Sequence, residues 1–104
     1  MQIFLTNETQ NYWTFREFGK KETFDIPKEQ LKQAFIHLNQ WQKEPGATNF
    51  SSKLYDLMSK ADGENFRKLF NGFPARTVAY CLWYCSTDKA ELNKYFGGEN
   101  NDVL

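Results

Sequence analysis

Within the first 25 residues, apolar and polar positions alternate with a period of two around Trp13 and Phe15. Trp13 and Phe15 are separated by polar neighbours, which is the pattern of a strand with one buried face. The preceding run at residues 3–5 is also rich in strand formers,. A turn around Gly19 can return the chain into a further strand at residues 22–25,. This segment predicts a short antiparallel hairpin or a three-strand sheet.

The same segment has a second interpretation, as a short helix. Thr14 and Glu17 have the spacing of a capping box,. Gly19 would end such a helix after about one turn, because glycine favours non-helical conformations. The pattern therefore favours strands, and an all-helical bundle is the alternative fold.

A change to helical periodicity follows at residues 27–43. Leu31, Phe35 and Leu38 fall at i, i+4 and i+7, on one face of a helix,. Pro27 suits the first helical position, where the N–H it lacks has no partner in the helix. Residues 44–49 have the composition of a loop,.

A second helix is predicted at residues 51–61, with Ser51 or Ser52 as its cap,. Its apolar stripe consists of Leu54, Leu57, Met58 and Ala61.

The stretch from Ala61 to Pro74 mixes acids, bases, asparagines and glycines, and it could be a ligand-binding loop. It has neither the spacing of a calcium loop nor the glycine–lysine pattern of a phosphate loop,. A joint between helices accounts for this composition. Asp62 caps a third helix, and Gly72 ends that helix in a left-handed conformation. The inward face of the helix consists of Phe66, Leu69 and Phe70. Pro74 then opens the next helix.

A fourth helix is predicted at residues 75–86, and it is apolar or amphipathic on every side between Val78 and Cys85. Such a helix is buried centrally or presents one face to a partner. Thr87-Asp88 can cap a fifth helix. We therefore predict an α+β fold in which four to five short helices follow the sheet, with one domain at 1–96 and a flexible polar tail at 97–104.

Charge is balanced, with 13 basic and 13 acidic residues and no basic cluster along the chain. Nucleic acid is therefore an alternative partner rather than the expected one, although Arg67, Lys68 and Arg76 flank aromatic rings that could stack on bases. The longest apolar run, eight residues, is too short for a membrane span. The N-terminus lacks a signal-peptide pattern, which predicts a cytoplasmic location.

Three residues could in principle hold a metal: Cys81, Cys85 and His37. The thiols lie four residues apart within an apolar helix, where paired metal ligands are unusual,, and both are expected to pack in the core as reduced cysteines. His37 has no acid at helical spacing to orient it as a base,. We therefore predict no catalytic residue, no metal and no cofactor.

The aromatic content points to binding instead. Eighteen aromatic residues in 104 are too many to bury completely in so small a chain. With Val78 and Leu82 facing inward, Tyr80, Trp83 and Tyr84 point elsewhere on the fourth helix. Tyrosine and tryptophan dominate binding hot spots, so these three residues are the candidate surface for a protein partner or for self-association.

The pattern F50-x3-L54-x2-L57…A61-D62-x2-N65-x3-L69-x3-F73-P74-x3-V78-A79-Y80-x2-W83 covers about a third of the chain. It resembles small proteins of prophages and mobile elements. The resemblance implies a phage or mobile-element origin in a bacterial host, and it assigns no binding or catalytic residue. The expected function is a small non-catalytic regulator or inhibitor that binds a host or phage protein. A nucleic-acid-binding regulator and a small enzyme or metal protein are the alternatives.

Overall fold

The computed structural model describes residues 1–96 and begins with a three-stranded antiparallel sheet. Its strands, paired in chain order, are β1 (Ile3–Glu8), β2 (Tyr12–Glu17) and β3 (Thr23–Pro27). The turn between β2 and β3 has Gly19 at φ 86°, a conformation that glycine adopts without a steric cost. The strand prediction for this segment is confirmed, and the capping-box helix is wrong.

One face of the sheet contributes to the core. Trp13, Phe15 and Ile26 are buried, and Trp13 pairs with Ile26 across the β2–β3 ladder. A bulge in β1 between Leu5 and Asn7 shifts its register against β2. The period-two alternation therefore marks the buried face of β2 correctly.

Within residues 1–96 five helices follow the sheet, so the predicted α+β fold is confirmed and the all-helical alternative is wrong. They are α1 (Lys28–Lys43), α2 (Phe50–Lys60), α3 (Gly63–Gly72), α4 (Pro74–Cys85) and a 3₁₀ helix (Lys89–Phe96). The 3₁₀ helix starts with the predicted cap, because the Asp88 carboxylate accepts a hydrogen bond from the Ala90 N–H at 3.0 Å.

Helix α1 packs against β3, α2, α4 and the 3₁₀ helix. Its predicted inward residues Leu31, Phe35 and Leu38 are fully buried. The ring of Phe35 stacks on Tyr95 of the 3₁₀ helix at 5.5 Å between centroids. Pro27 is the last residue of β3 and precedes the helix, so its prediction as the first helical residue is wrong by one position.

Helix α2 differs from the prediction at its start and along its stripe. Its cap is Asn49, whose side chain accepts from the Ser52 N–H at 2.9 Å, rather than Ser51 or Ser52. Leu57 is exposed, and Tyr55 is buried in its place. The Tyr55 hydroxyl donates to the backbone carbonyl of Ala34 at 2.7 Å. A hydroxyl that has a hydrogen-bond partner can be buried in the core. The periodicity of apolar residues does not predict such a hydrogen bond.

The joint around α3 has the predicted architecture except at its end. The Asp62 carboxylate caps α3 by accepting from the Asn65 N–H at 2.8 Å, and Pro74 is the first residue of α4. Gly72, the last residue of the helix, does not have a positive φ; Phe73 follows as the C-cap, and its N–H bonds to the carbonyl of Leu69. The left-handed glycine ending is therefore wrong, because Pro74 immediately starts a new helix.

Helix α4 lies at the centre of the molecule. It contacts both edge strands of the sheet and α1, α2, α3 and the 3₁₀ helix. Residues 77–81 are buried, whereas the last residues, Tyr84 and Cys85, are exposed. This position explains why residues 78–81 of the helix are apolar or amphipathic on every side,.

The described part of the chain contains no helix that is long and apolar enough to cross a membrane. The tail predicted at 97–104 lies outside the described residues.

Candidate functional site

The three predicted surface aromatics have three different environments. Tyr80 is 8% exposed, Trp83 is partly buried, and Tyr84 is 71% exposed. The expectation that all three point away from the core is therefore wrong for Tyr80. Its ring lies within 6.3 Å of Trp41 and 5.8 Å of Phe66, between α1 and α3.

The ring of Tyr84 is supported by Tyr80, the residue one helical turn before it. The two rings are stacked, with centroids 6.0 Å apart and ring planes inclined by 15°. Because Tyr80 is held in the core, the exposed ring of Tyr84 rests on a fixed support. An aromatic side chain held in this way loses little conformational entropy when it binds.

Trp83 contributes to packing rather than to an open surface. It makes an edge contact with Trp41 at 5.9 Å, and the ammonium of Lys89 lies 5.1 Å from its ring centroid. The same ammonium donates to the backbone carbonyl of Trp83, so Lys89 closes the end of α4 and covers the indole. The negative end of the helix dipole and the face of the indole ring both attract a positive charge at this position.

A groove of about 280 Å³ lies beside Tyr84. Residues from the N-terminus, α2, α3 and α4 line it, and those with apolar or sulfur-containing side chains are Met1, Met58, Ala61, Phe66, Tyr80, Cys81, Tyr84 and Cys85. The sequence did not reveal this groove, because its walls come from four separate segments.

An ion pair fixes α3, which forms one wall of the groove, to the sheet. Arg67 donates two hydrogen bonds to the carboxylate of Glu17, at 2.7 and 2.6 Å. The hydrogen bond to Arg67 lowers the pKa of Glu17. A bidentate pair of this kind fixes orientation as well as distance.

The two thiols differ, which corrects the expectation that both pack in the core. Cys81 is buried and Cys85 is exposed at the end of α4. Burial raises the pKa of Cys81 to about 12, so its thiol stays protonated at neutral pH. A protonated thiol is a poor nucleophile and a poor metal ligand. Within residues 1–96, no three His, Cys, Asp or Glu side chains are grouped closely enough to hold a metal ion.

His37 has partners that its sequence neighbours did not predict. Its Nδ1 lies 3.3 Å from Oγ of Ser51, and the same hydroxyl accepts from Nη2 of Arg76 at 3.2 Å. Burial, and secondarily the charge of Arg76, lowers the pKa of His37. The three residues come from α1, α2 and α4, so helical spacing along α1 could not have connected them.

No family model, curated protein or solved structure matches this chain. The likeness to prophage proteins therefore stays a prediction, and the function has to be argued from the geometry.

Proposed function

We propose that this protein is a non-catalytic binding protein that holds a protein partner at the groove beside Tyr84. The observation that carries the proposal is an exposed tyrosine, stacked on a buried one, at the edge of a groove with both apolar and polar surface. Hot-spot residues of protein interfaces are typically aromatic side chains next to a pocket that excludes water.

The exposed ring of Tyr84 at the edge of the groove supports a protein partner over a free small molecule,. The groove has a volume of about 280 Å³. It suits one or two apolar side chains that project from a partner, while Tyr84 packs against the surface around them. The resemblance to prophage proteins makes a host or phage protein the expected partner.

The ionisable groups of the groove support a non-catalytic role. Burial raises the pKa of both Tyr80 and Cys81, so neither is a base or a nucleophile at neutral pH. Asp62 accepts the capping hydrogen bond of α3. Neither buried group is therefore activated for catalysis, which supports binding as the role of the groove.

The test compares two single tyrosine variants, Tyr84→Ala and Tyr12→Ala. Tyr12 is also exposed, at 44%, and it lies on β2 outside the groove. Affinity capture from bacterial lysate identifies a partner, and titration with that purified partner measures its Kd. We expect Tyr84→Ala to weaken binding by about 30-fold and Tyr12→Ala to leave it unchanged.

The same two variants also test whether the protein associates with itself and whether the groove is the binding site. If light scattering shows a dimer that Tyr84→Ala dissociates, the partner is a second copy of this chain. Equal partner affinity for both variants and the wild type would reject the groove as the binding site.

A further inference from the structure

A second cleft, of about 340 Å³, lies where the first turn of α4 faces the first part of α1. Helix α1 contributes Gln30, Gln33 and His37 to its lining, and the α3–α4 joint contributes Phe73, Pro74 and Arg76. The Tyr84 groove is at the other end of α4. Because α4 lines the cleft up to Arg76 and lines the groove from Tyr80 onwards, the two sites are about one helical turn apart at their nearest α4 residues,.

Arg76 has no carboxylate partner within residues 1–96. Its Nη2 donates to Ser51, and its guanidinium lies 5.8 Å from the ring centroid of Phe50. Its Nε is buried without a hydrogen-bond partner in the described part of the chain. A guanidinium has five donors, and a partly buried cation is costly unless an anion pairs with it.

His37 supplies a neutral donor to the same cleft. Arg76 can only donate, so Ser51 accepts from Arg76 and can give its own hydroxyl proton to Nδ1 of His37,. The proton of the neutral imidazole is then on Nε2. The ring lines the cleft, and no side chain of residues 1–96 bonds to Nε2.

The backbone at the start of α4 adds further donors. Phe73 provides no side-chain cap, and Pro74 has no N–H. The first backbone N–H of this turn with an intrahelical bond is that of Thr77, to the carbonyl of Phe73. The N–H groups of Ala75 and Arg76, both in the lining, are therefore free to meet an anion.

We infer that the cleft binds a small molecule through its carboxylate or phosphate group, which would contact the Arg76 guanidinium, the His37 Nε2–H and the free amides of α4. Phe73 and Pro74 give the remainder of the ligand an apolar surface. The volume is at the lower end of the range for small-molecule sites, about 300–1,000 Å³. Glu29, an exposed acid that also lines the cleft and bonds to Gln33, disfavours ligands with several negative charges.

The probes are benzoate, its uncharged isostere benzamide, and phenyl phosphate, each titrated to about 10 mM, a range suited to millimolar affinity. Two-dimensional NMR of the ¹⁵N-labelled protein follows the amides of Ala75 and Arg76. We expect benzoate or phenyl phosphate to shift both amides with saturation, and benzamide to leave them unchanged. The anion with the lower Kd identifies the source as a carboxylate or a phosphate.

Two variants and one control test the assigned residues. Arg76→Gln should weaken binding at least about tenfold. His37→Asn places an acceptor near the position of Nδ1, so it preserves the bond to Ser51 but removes the Nε2–H; it should weaken binding several-fold. Lys68→Gln, which removes an exposed cation outside the cleft, should leave affinity unchanged.

Three results would overturn the inference. The first is an equal response to benzamide and benzoate, and the second is absence of saturation with both anions. The third is unchanged anion affinity in His37→Asn. This variant tests the cleft even if Arg76→Gln fails to fold.

Discussion

The ring of Tyr84, 71% exposed, stacks on the ring of Tyr80, which is 8% exposed, at 6.0 Å between centroids. One turn of helix therefore joins a core residue to a surface residue through a direct ring contact. Trp83, between them in sequence, is partly buried and has ring contacts with both tyrosines and with Trp41. This arrangement separates the residues that stabilise the fold from the residue that can bind a partner.

The first prediction follows from that separation. Trp83→Ala should lower the free energy of unfolding by about 2 kcal/mol, because it removes a partly buried ring from its contacts with Trp41 and Lys89,. Tyr84→Ala should change it by less than about 1 kcal/mol. Urea denaturation followed by circular dichroism measures both. A larger loss for Tyr84→Ala would mean that Tyr84 is a structural residue and not a free binding surface.

The second prediction concerns the cap of α3. Asp62→Ala removes the acceptor of the Asn65 N–H and should destabilise the protein by about 1 kcal/mol. Asp62→Asn retains an acceptor for this N–H and should keep most of the stability that Asp62→Ala loses. Thermal melts with and without calcium complete the test. A calcium-dependent rise in Tm that disappears in Asp62→Ala would show that this segment is a ligand site.

The third prediction concerns the two thiols. Cys85 is exposed and should react with iodoacetamide in the native protein, whereas Cys81 is buried and should react at least about 100-fold more slowly, through opening of the fold. Intact-mass spectrometry follows the first and second additions, and Cys85→Ser identifies the fast site. Two fast additions to the folded protein would contradict the buried position of Cys81.

The fourth prediction is a pH dependence set by His37. Burial holds its folded pKa below the ordinary 6.5, so between these two pKa values the unfolded chain binds more protons than the folded one. The free energy of unfolding should therefore fall as the pH decreases from about 7 through 6.5, and this loss should end below the folded pKa. His37→Asn, without a titrating ring, provides the comparison.

The measurement is urea denaturation at several pH values between about 7 and 5, close to the ordinary pKa of histidine. The wild type should lose more stability than His37→Asn over this interval, and the NMR titration of the imidazole should give a midpoint below 6.5. Parallel curves for the two proteins would assign the pH dependence to other groups.

The local signals in the sequence determined the elements of the fold. Alternation at Trp13 and Phe15 gave a strand, the spacing of Leu31, Phe35 and Leu38 gave the buried face of α1, and Asp62 gave a cap. Each of these features depends on neighbours within a few residues. The local sequence of one segment is therefore enough to predict it. The apolar run in α4 allowed two interpretations, a central helix or a face for a partner, and in the structure residues 77–81 of this helix are buried.

Other features depended on contacts between distant segments. Tyr55 is buried while Leu57 is exposed, because the Tyr55 hydroxyl finds the Ala34 carbonyl on another helix. The fifth helix, at Lys89–Phe96, is a 3₁₀ helix, and its Tyr95 packs between α1 and the sheet through ring contacts with Phe35, Trp13 and Phe15. Helical periodicity records apolarity, and it does not record which polar atoms meet across the core.

Both candidate sites belong to this second group. The sequence named Tyr80, Trp83 and Tyr84 as a set, and tertiary packing divided them into a core ring, a partly covered indole and an exposed ring. The sequence contained His37 and Arg76 without relating them, since residues 39 positions apart become neighbours of Ser51 only when α1, α2 and α4 pack together. Composition and periodicity fixed which elements form, and the contacts among those elements decided which side chains remain available for binding.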